Sequence, residues 1–202
     1  MKQVVKPIKD SNVLEEVQDT LKNNFDAGMR NFTIFQVGKA TLLRVSDVLS
    51  LKKSDVYDES GHVKRNAYII DIKTKKHNVL YLRPVKKDLE DYYSYLKDYQ
   101  DKNALPVFDS EWLFPSFKRP EKHIDPKRYY MIMYKVGKIL GIDYLGTHSM
   151  RKTGAYRVYE QSGHNIALVM KLLNHSSEAM TLRYLGLDRE SREHILDTID
   201  FG

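Results

Sequence analysis

The apolar positions change period along the chain, and the changes mark its elements. DSNVLEEVQDTLKNN (10–24) opens on Asp and Ser capping signals and runs amphipathically, which predicts a first helix. A second is predicted over about 26–39, DAGMRNFTIFQVGK. RVSDVLSLKKSDV (44–56) spaces Val45, Val48, Leu49 and Leu51 for a short helix packed on one side. The pattern then shifts. In HVKRNAYIIDIKTKKHNVLYLRP (62–84), β-branched and aromatic runs flank the polar KTKKHN, which predicts a β-hairpin. A first short strand near 55–58 would make the sheet three-stranded and antiparallel.

The helical period returns in VKKDLEDYYSYLKDYQ (85–100), with Leu89, Tyr92, Tyr93 and Leu96 on the buried side. Residues 104–126 hold four of the six prolines and read as loop. Further helices are predicted at about 126–140, with Pro126 near its start, and at 147–161, 165–173, 177–185 and 188–199. The fold class is therefore α+β, mostly α-helical with a small three-stranded antiparallel sheet. No repeat or linker divides residues 1–202, so a single domain is expected.

Composition narrows the class. Apolar residues make up 42% of the 202 and charged residues 30%, with both signs interspersed, so a folded chain is expected. No run of 18 apolar residues occurs, and MKQVVKPIKD lacks a signal peptide's apolar core. The absence of cysteine excludes disulfides and thiolate metal or redox sites, which fits a cytoplasmic protein. The net charge of +6 arises between residues 61 and 137, where sixteen positive side chains face ten negative ones. Within 64–87 eight basic residues face a single acid, Asp71. Such a surface suits either solvent or a polyanion, most often nucleic acid.

Several residues could carry chemistry. Arg44 and Asp47, three apart, read either as a local ion pair or as an arginine held by its carboxylate to clamp an anion. Lys73 sits in the hairpin, where a flexible ammonium either faces solvent or swings in to donate a proton. His148 and Arg151 stand three apart at the start of a helix in GTHSMRKTGAY. His175 and Tyr184 follow in LLNHSSEAMTLRYLG.

The order of these groups resembles the tyrosine recombinase (integrase) family. TLLRVSDVLSLKKSDV resembles its first-arginine box, IDIKTKKHNVLYL its lysine hairpin, THSMRKTGA its His-x-x-Arg box, and LLNHSSEAMTLRYLG its His…Tyr box. The likeness runs from about residue 10 to 190. Leu42 and Asn174 stand where glycine is usual, Met150 replaces a frequent leucine, and Lys152 replaces a common second histidine. Asparagine tolerates a left-handed turn, so the backbone at 174 can be kept.

The resemblance implies the catalytic-domain fold of that family and metal-independent cleavage and rejoining of DNA through a 3′-phosphotyrosyl intermediate. Tyr184 would be the nucleophile. Arg44 and Arg151 would clamp the phosphate, and Lys73 would protonate the 5′-oxygen. His148 would act on the nucleophile side, His175 would hydrogen-bond a phosphate oxygen, and Asp47 would brace Arg44. Lys75, Lys76, Lys118 and Arg119 would contact DNA. No cofactor is implied, and no clustered ligand set for a metal is apparent. The partners implied are a double-stranded recombination site and other subunits in a synaptic tetramer, with no membrane.

Family members usually carry an N-terminal core-binding domain. This chain starts where the catalytic domain should start, so weak DNA binding and little complete recombination are expected of it alone. The tail 185–202, with Ile195, Leu196, Ile199 and Phe201 on a short helix, would dock either on its own domain or on a neighbouring subunit. Two other activities share the chemistry or the fold: DNA binding without catalysis, and type IB topoisomerase-like relaxation.

Overall fold

The computed structural model describes residues 5–187, 193 and 196–202. Helix α1 (Ser11–Asn23) starts where Asp10 accepts hydrogen bonds from the amides of Asn12 and Val13, at 2.8 and 3.0 Å. It buries Leu14, Val17 and Leu21 against α2 (Gly28–Thr41). Helix α2 is the axis of the molecule. It buries residues on several sides, including Ile34, Phe35 and Val37, and packs on α1, α5 (Lys86–Asn103) and α7 (Ser149–Gln161). A helix so enclosed needs no polar face, and its apolar residues show little one-sidedness.

Two short helices, α3 (Val45–Leu49) and α4 (Lys53–Val56), stand where one was expected. The hairpin follows as β1 (Asn66–Ile70) and β2 (His77–Tyr81), antiparallel with Tyr68 opposite Val79. The strand expected near 55–58 is instead the turn of α4 and one bridge between Tyr57 and Val63, so this sheet has two strands. The Lys52 amide donates to the Asp55 carboxylate at 2.7 Å at the start of α4, and that local turn outweighs strand pairing. The proline-rich segment contains a second hairpin, β3 (Pro115–Ser116) with β4 (Arg119–His123), rather than loop alone. Proline fits there because the strands are short and at an edge.

Helices α6 (Pro126–Leu140), α7, α8 (Ile166–Leu173) and α9 (Glu178–Leu185) match the expected positions. The helix expected over 188–199 lies largely outside the described residues. Leu196, Ile199 and Phe201 are exposed. Among the described residues no helix is long and apolar enough to cross a membrane.

The apolar interior falls into two clusters. The larger joins α1–α6 and the β1–β2 hairpin, with Phe35, Leu89, Tyr92, Phe114 and Tyr129 at its centre. The smaller holds Leu42, Ala155, Val169, Leu173 and Leu185, under α7, α8 and α9.

Candidate active site

The end of α2 aims the first arginine. Leu42 turns the chain in a left-handed conformation (φ 56°), and Arg44 follows as the N-cap residue of α3 with extended backbone. Its guanidinium lies 3.6 Å from the carboxylate of buried Asp71, at the end of β1. Asp71 also accepts from the Thr74 hydroxyl at 3.0 Å and the Asn78 amide at 3.4 Å. Its backbone closes the hairpin turn against Lys75 and Lys76. One carboxylate therefore fixes both the arginine and the turn that carries Lys73.

Asp47 does not brace Arg44. It is 2% exposed, accepts from the Ile72 amide at 2.8 Å, and leaves its second oxygen buried without a partner. The reason lies in the partners: the Asp47 carboxylate is taken by the Ile72 amide, and Arg44 lies beside Asp71 instead. Asp47 instead pins the backbone next to Lys73. Lys73 itself is exposed on the turn, and its charge is felt at His148.

His148 caps α7, and Arg151 lies in that helix's first turn. Arg151 is buried and donates to the carbonyl of Leu173 at 3.0 Å, at the end of α8. One turn on, Gly154 is where α7 meets α2 backbone to backbone. A Cβ at this position would lie 2.0 Å from the Lys39 carbonyl oxygen, so only glycine permits the contact that holds Arg151 beside Arg44.

Asn174, with φ 56°, makes the left-handed turn that ends α8 and presents His175. The Nδ1 of His175 lies 3.0 Å from the Thr181 hydroxyl, which donates its own hydrogen to the Ser177 carbonyl at 3.2 Å. Nδ1 must therefore be the donor in this pair, which leaves Nε2 with a free lone pair. The His175 and Tyr184 rings meet edge to face at 5.2 Å.

Tyr184 points its hydroxyl inward, buried and without a hydrogen bond of ordinary geometry, close to Arg151. Burial pushes its pKa up to about 12, against the opposing pull of Arg151 and then Arg44. Desolvation also holds His148 below its ordinary value, reinforced by Arg151, Lys152, Arg44 and Lys73. His175 is lowered by desolvation, then Arg151 and Arg44. The site thus pairs neutral bases with a phenol that keeps its proton until one is offered a role.

A cleft of about 300 Å³ opens between these elements, lined by Arg44, Asp71, Lys76, Arg151 and Lys171 among others. It is a concave cationic pocket with one buried carboxylate, suited to a single phosphate group. Lys76 reaches this pocket. Lys75 shapes the turn with φ 56°. Lys118 and Arg119 line a different cleft, at the far end of α2.

The family model described as the phage integrase family matches residues 10–191. The chain belongs to that family. It is 32% identical over 189 residues to the "Probable integrase/recombinase YoeC" of Bacillus subtilis (strain 168), covering 93% of each chain. Its fold superposes on a lambda integrase (75–356) dimer bound to a COC′ core site with a TM-score of 0.67. The identity there is 17%, over 100% of this chain and 65% of that one. It matches the post-cleavage complex of XerH site-specific recombinase on palindromic difH with a TM-score of 0.64 and 20% identity. That match covers 97% of this chain but only 54% of XerH, so the chain spans little more than half of that relative. The expected α+β, mostly helical fold is thus confirmed as the catalytic-domain fold of tyrosine recombinases.

Within this integrase fold the structure brings Arg44, Arg151, His148, His175 and Tyr184 into one cluster, with Lys73 at its margin. Sequence reasoning missed four contributors. Asp71 carried a signal, being the only acid in a basic stretch. Thr181 and Lys171 carried none. Lys152 places its ammonium 5.0 Å over the Tyr184 ring and donates to the Val5 carbonyl at 2.8 Å. Beside it, the Ile8 amide donates to Thr153 Oγ1 at 3.0 Å and Lys9 to the Gly186 carbonyl at 3.1 Å. Residues 5–9 therefore strap α7 to the end of α9.

Proposed function

We propose that this domain cuts and rejoins DNA strands as the catalytic part of a site-specific recombinase. The carrying observation is the buried Tyr184 hydroxyl set against Arg151, the arginine that lines a small cationic cleft together with Arg44. Arg44 and Arg151 take the two non-bridging oxygens of the scissile phosphate and offset the charge that grows on them. Tyr184 Oη attacks phosphorus, its proton passes to a neutral histidine, and the bond to the 5′-oxygen breaks. Lys73, on its exposed turn, protonates that leaving oxygen. The product is a 3′-phosphotyrosyl link and a free 5′-hydroxyl, and attack by another strand's 5′-hydroxyl reverses the sequence.

The geometry favours His175 as the proton acceptor, because its Nε2 lone pair is free and its ring lies against Tyr184. That exchanges the roles the resemblance suggests. His148, surrounded by four cations, then faces the phosphate.

Complete strand exchange needs two duplexes and hence several subunits, in a synaptic tetramer. The exposed Leu196, Ile199 and Phe201 are suited to pack on a neighbouring subunit there. The reaction takes place in the cytoplasm, where the DNA lies.

A nicked duplex bearing the recombination site tests the reading. A denaturation-resistant protein–DNA adduct should form, and Tyr184→Phe should abolish it. An adduct that survives Tyr184→Phe refutes the assignment. A mobility shift with no adduct would indicate a binding protein that does not cut.

A further inference from the structure

A cleft of about 1020 Å³ lies away from the catalytic cluster. It opens where β3 and β4 cross the first turn of α2 and the start of α6. Helix α2 spans 14 residues, so at 1.5 Å per residue about 20 Å separates this cleft from Arg44.

At its base lies Arg30, only 6% exposed. The guanidinium donates to the Pro115 carbonyl at 3.0 Å and to the Asn31 side chain at 3.3 Å, and it stacks 4.6 Å from the Phe117 ring. Its Nε is buried without a partner. All of these neighbours are neutral. Among the described residues no carboxylate lies within ion-pair distance of Arg30. Burial lowers its pKa, and the charge of Arg128 adds to the strain. A buried cation without a counter-ion is among the least favourable arrangements a fold can hold.

The cleft walls do not supply the missing charge. Lys118, Arg119, Lys122 and Arg128 line it, and none forms an ion pair among the described residues. Asp26, Glu121 and Asp125 also line it, but among the described residues none forms an ion pair with Arg30, and Asp125 caps α6 through the amides of Lys127 and Arg128. Trp112 stands in the wall, with its indole N–H donating to the Glu121 carbonyl at 3.1 Å.

We propose that this cleft is a second phosphate-binding site, in which a phosphoryl oxyanion supplies the counter-charge that Arg30 lacks. The oxyanion has two possible sources, a free phosphoanion or the backbone of a DNA duplex. The second rests on the recombinase reading above: at 3.4 Å per base pair, it would be a phosphate about six base pairs from the cut.

Trp112 is the only tryptophan of the chain, so its fluorescence reports on the cleft directly. The wild-type protein is titrated with pyrophosphate, with a duplex ending within four base pairs of the cut, and with one extending ten. A saturable change with pyrophosphate supports the site and identifies a free anion as sufficient. A change with the long duplex but not the short one supports it and identifies DNA as the source. The triple variant Lys118→Gln, Lys122→Gln, Arg128→Gln should bind the effective ligand at least tenfold more weakly. Arg30→Gln should do the same, and the surface variant decides the matter if Arg30→Gln fails to fold. No response to any ligand, or equal affinity in the triple variant, overturns the proposal. Adduct formation on the nicked short duplex is scored separately. Its failure refutes the recombinase reading while a pyrophosphate response still stands.

Discussion

The two apolar clusters carry different halves of the site. The large one anchors Arg44 and the hairpin with Lys73, through α2, α3 and the packed hairpin. The small one carries Arg151, His175 and Tyr184 on α7, α8 and α9, and buries only a handful of side chains. On the proposed assignment, half of the phosphate clamp is thus built on the larger cluster and the nucleophile on the more lightly packed one. A reaction that runs in both directions benefits from that division. Elements that move in function are drawn from the less stable parts of a fold, because opening them costs little.

The sharpest way to break this comparison is to remove one leucine from each cluster. Leu89→Ala and Leu173→Ala should each cost about 2–5 kcal/mol where the side chain is buried. Leu89→Ala should lower the global unfolding free energy by that amount. Leu173→Ala should chiefly speed hydrogen exchange in α8 and α9 and slow adduct formation, with a smaller shift of the main melting transition. Equal losses in one shared transition would show a single cooperative unit.

Arginine substitutions sharpen the same contrast at the level of chemistry. Arg151→Lys removes the planar fork that reaches both the phosphate and the Leu173 carbonyl. Cleavage should fall by about 10²–10³, the usual cost of a lost transition-state donor. Arg44→Lys keeps a charge beside Asp71 and should cost less in single-turnover cleavage of a nicked substrate. A larger loss at Arg44 would place the main clamp on the half built on the larger cluster.

How much of this could be read from the sequence depends on how local each feature is. The helical periods from α5 to α9 were legible because one face of each meets the interior. Tyr184, His148, Arg151 and His175 could be singled out because their boxes keep a fixed order, and the fold brings them close together. The partner of Arg44 could not be. Asp47 sits at the right spacing, but its carboxylate accepts from the Ile72 amide, and Arg44 lies beside Asp71, twenty-seven residues on in a hairpin. The second hairpin was hidden by its prolines, which usually signal loop. The strap of residues 5–9 was invisible for the same reason as Asp71: its contacts join distant parts of the chain.

The strap suggests a smaller test of the light half. Lys152 ties the Val5 carbonyl to the Tyr184 ring face and so acts as a positioning residue. Lys152→Met should reduce the maximal rate of adduct formation by about tenfold, roughly 1.4 kcal/mol, while leaving DNA affinity nearly unchanged. Lys152→Arg, which keeps cation and donor, should recover most of the rate. A loss of affinity with no loss of rate would make Lys152 a DNA contact instead.

The smallest expected effect is that of pH, and its sign differs between free and bound protein. His148 and His175 are both held below the ordinary histidine value of 6.5, first by desolvation and then by neighbouring cations. Below pH 6.5 the unfolded chain therefore binds more protons than the fold, and the free domain loses stability as pH falls through that window. A DNA phosphate seated between Arg44 and Arg151 cancels the repulsion that keeps the rings neutral, so binding takes up protons. Affinity of the Tyr184→Phe protein for DNA should rise on the order of a few-fold as pH falls from 7 toward 6, where each pKa unit corresponds to about 1.4 kcal/mol. Adding His148→Gln and His175→Gln should flatten that slope, measured by mobility shift at constant ionic strength. A slope that persists without both rings would mean that the phosphate does not sit between the two arginines, and that the two halves do not share it.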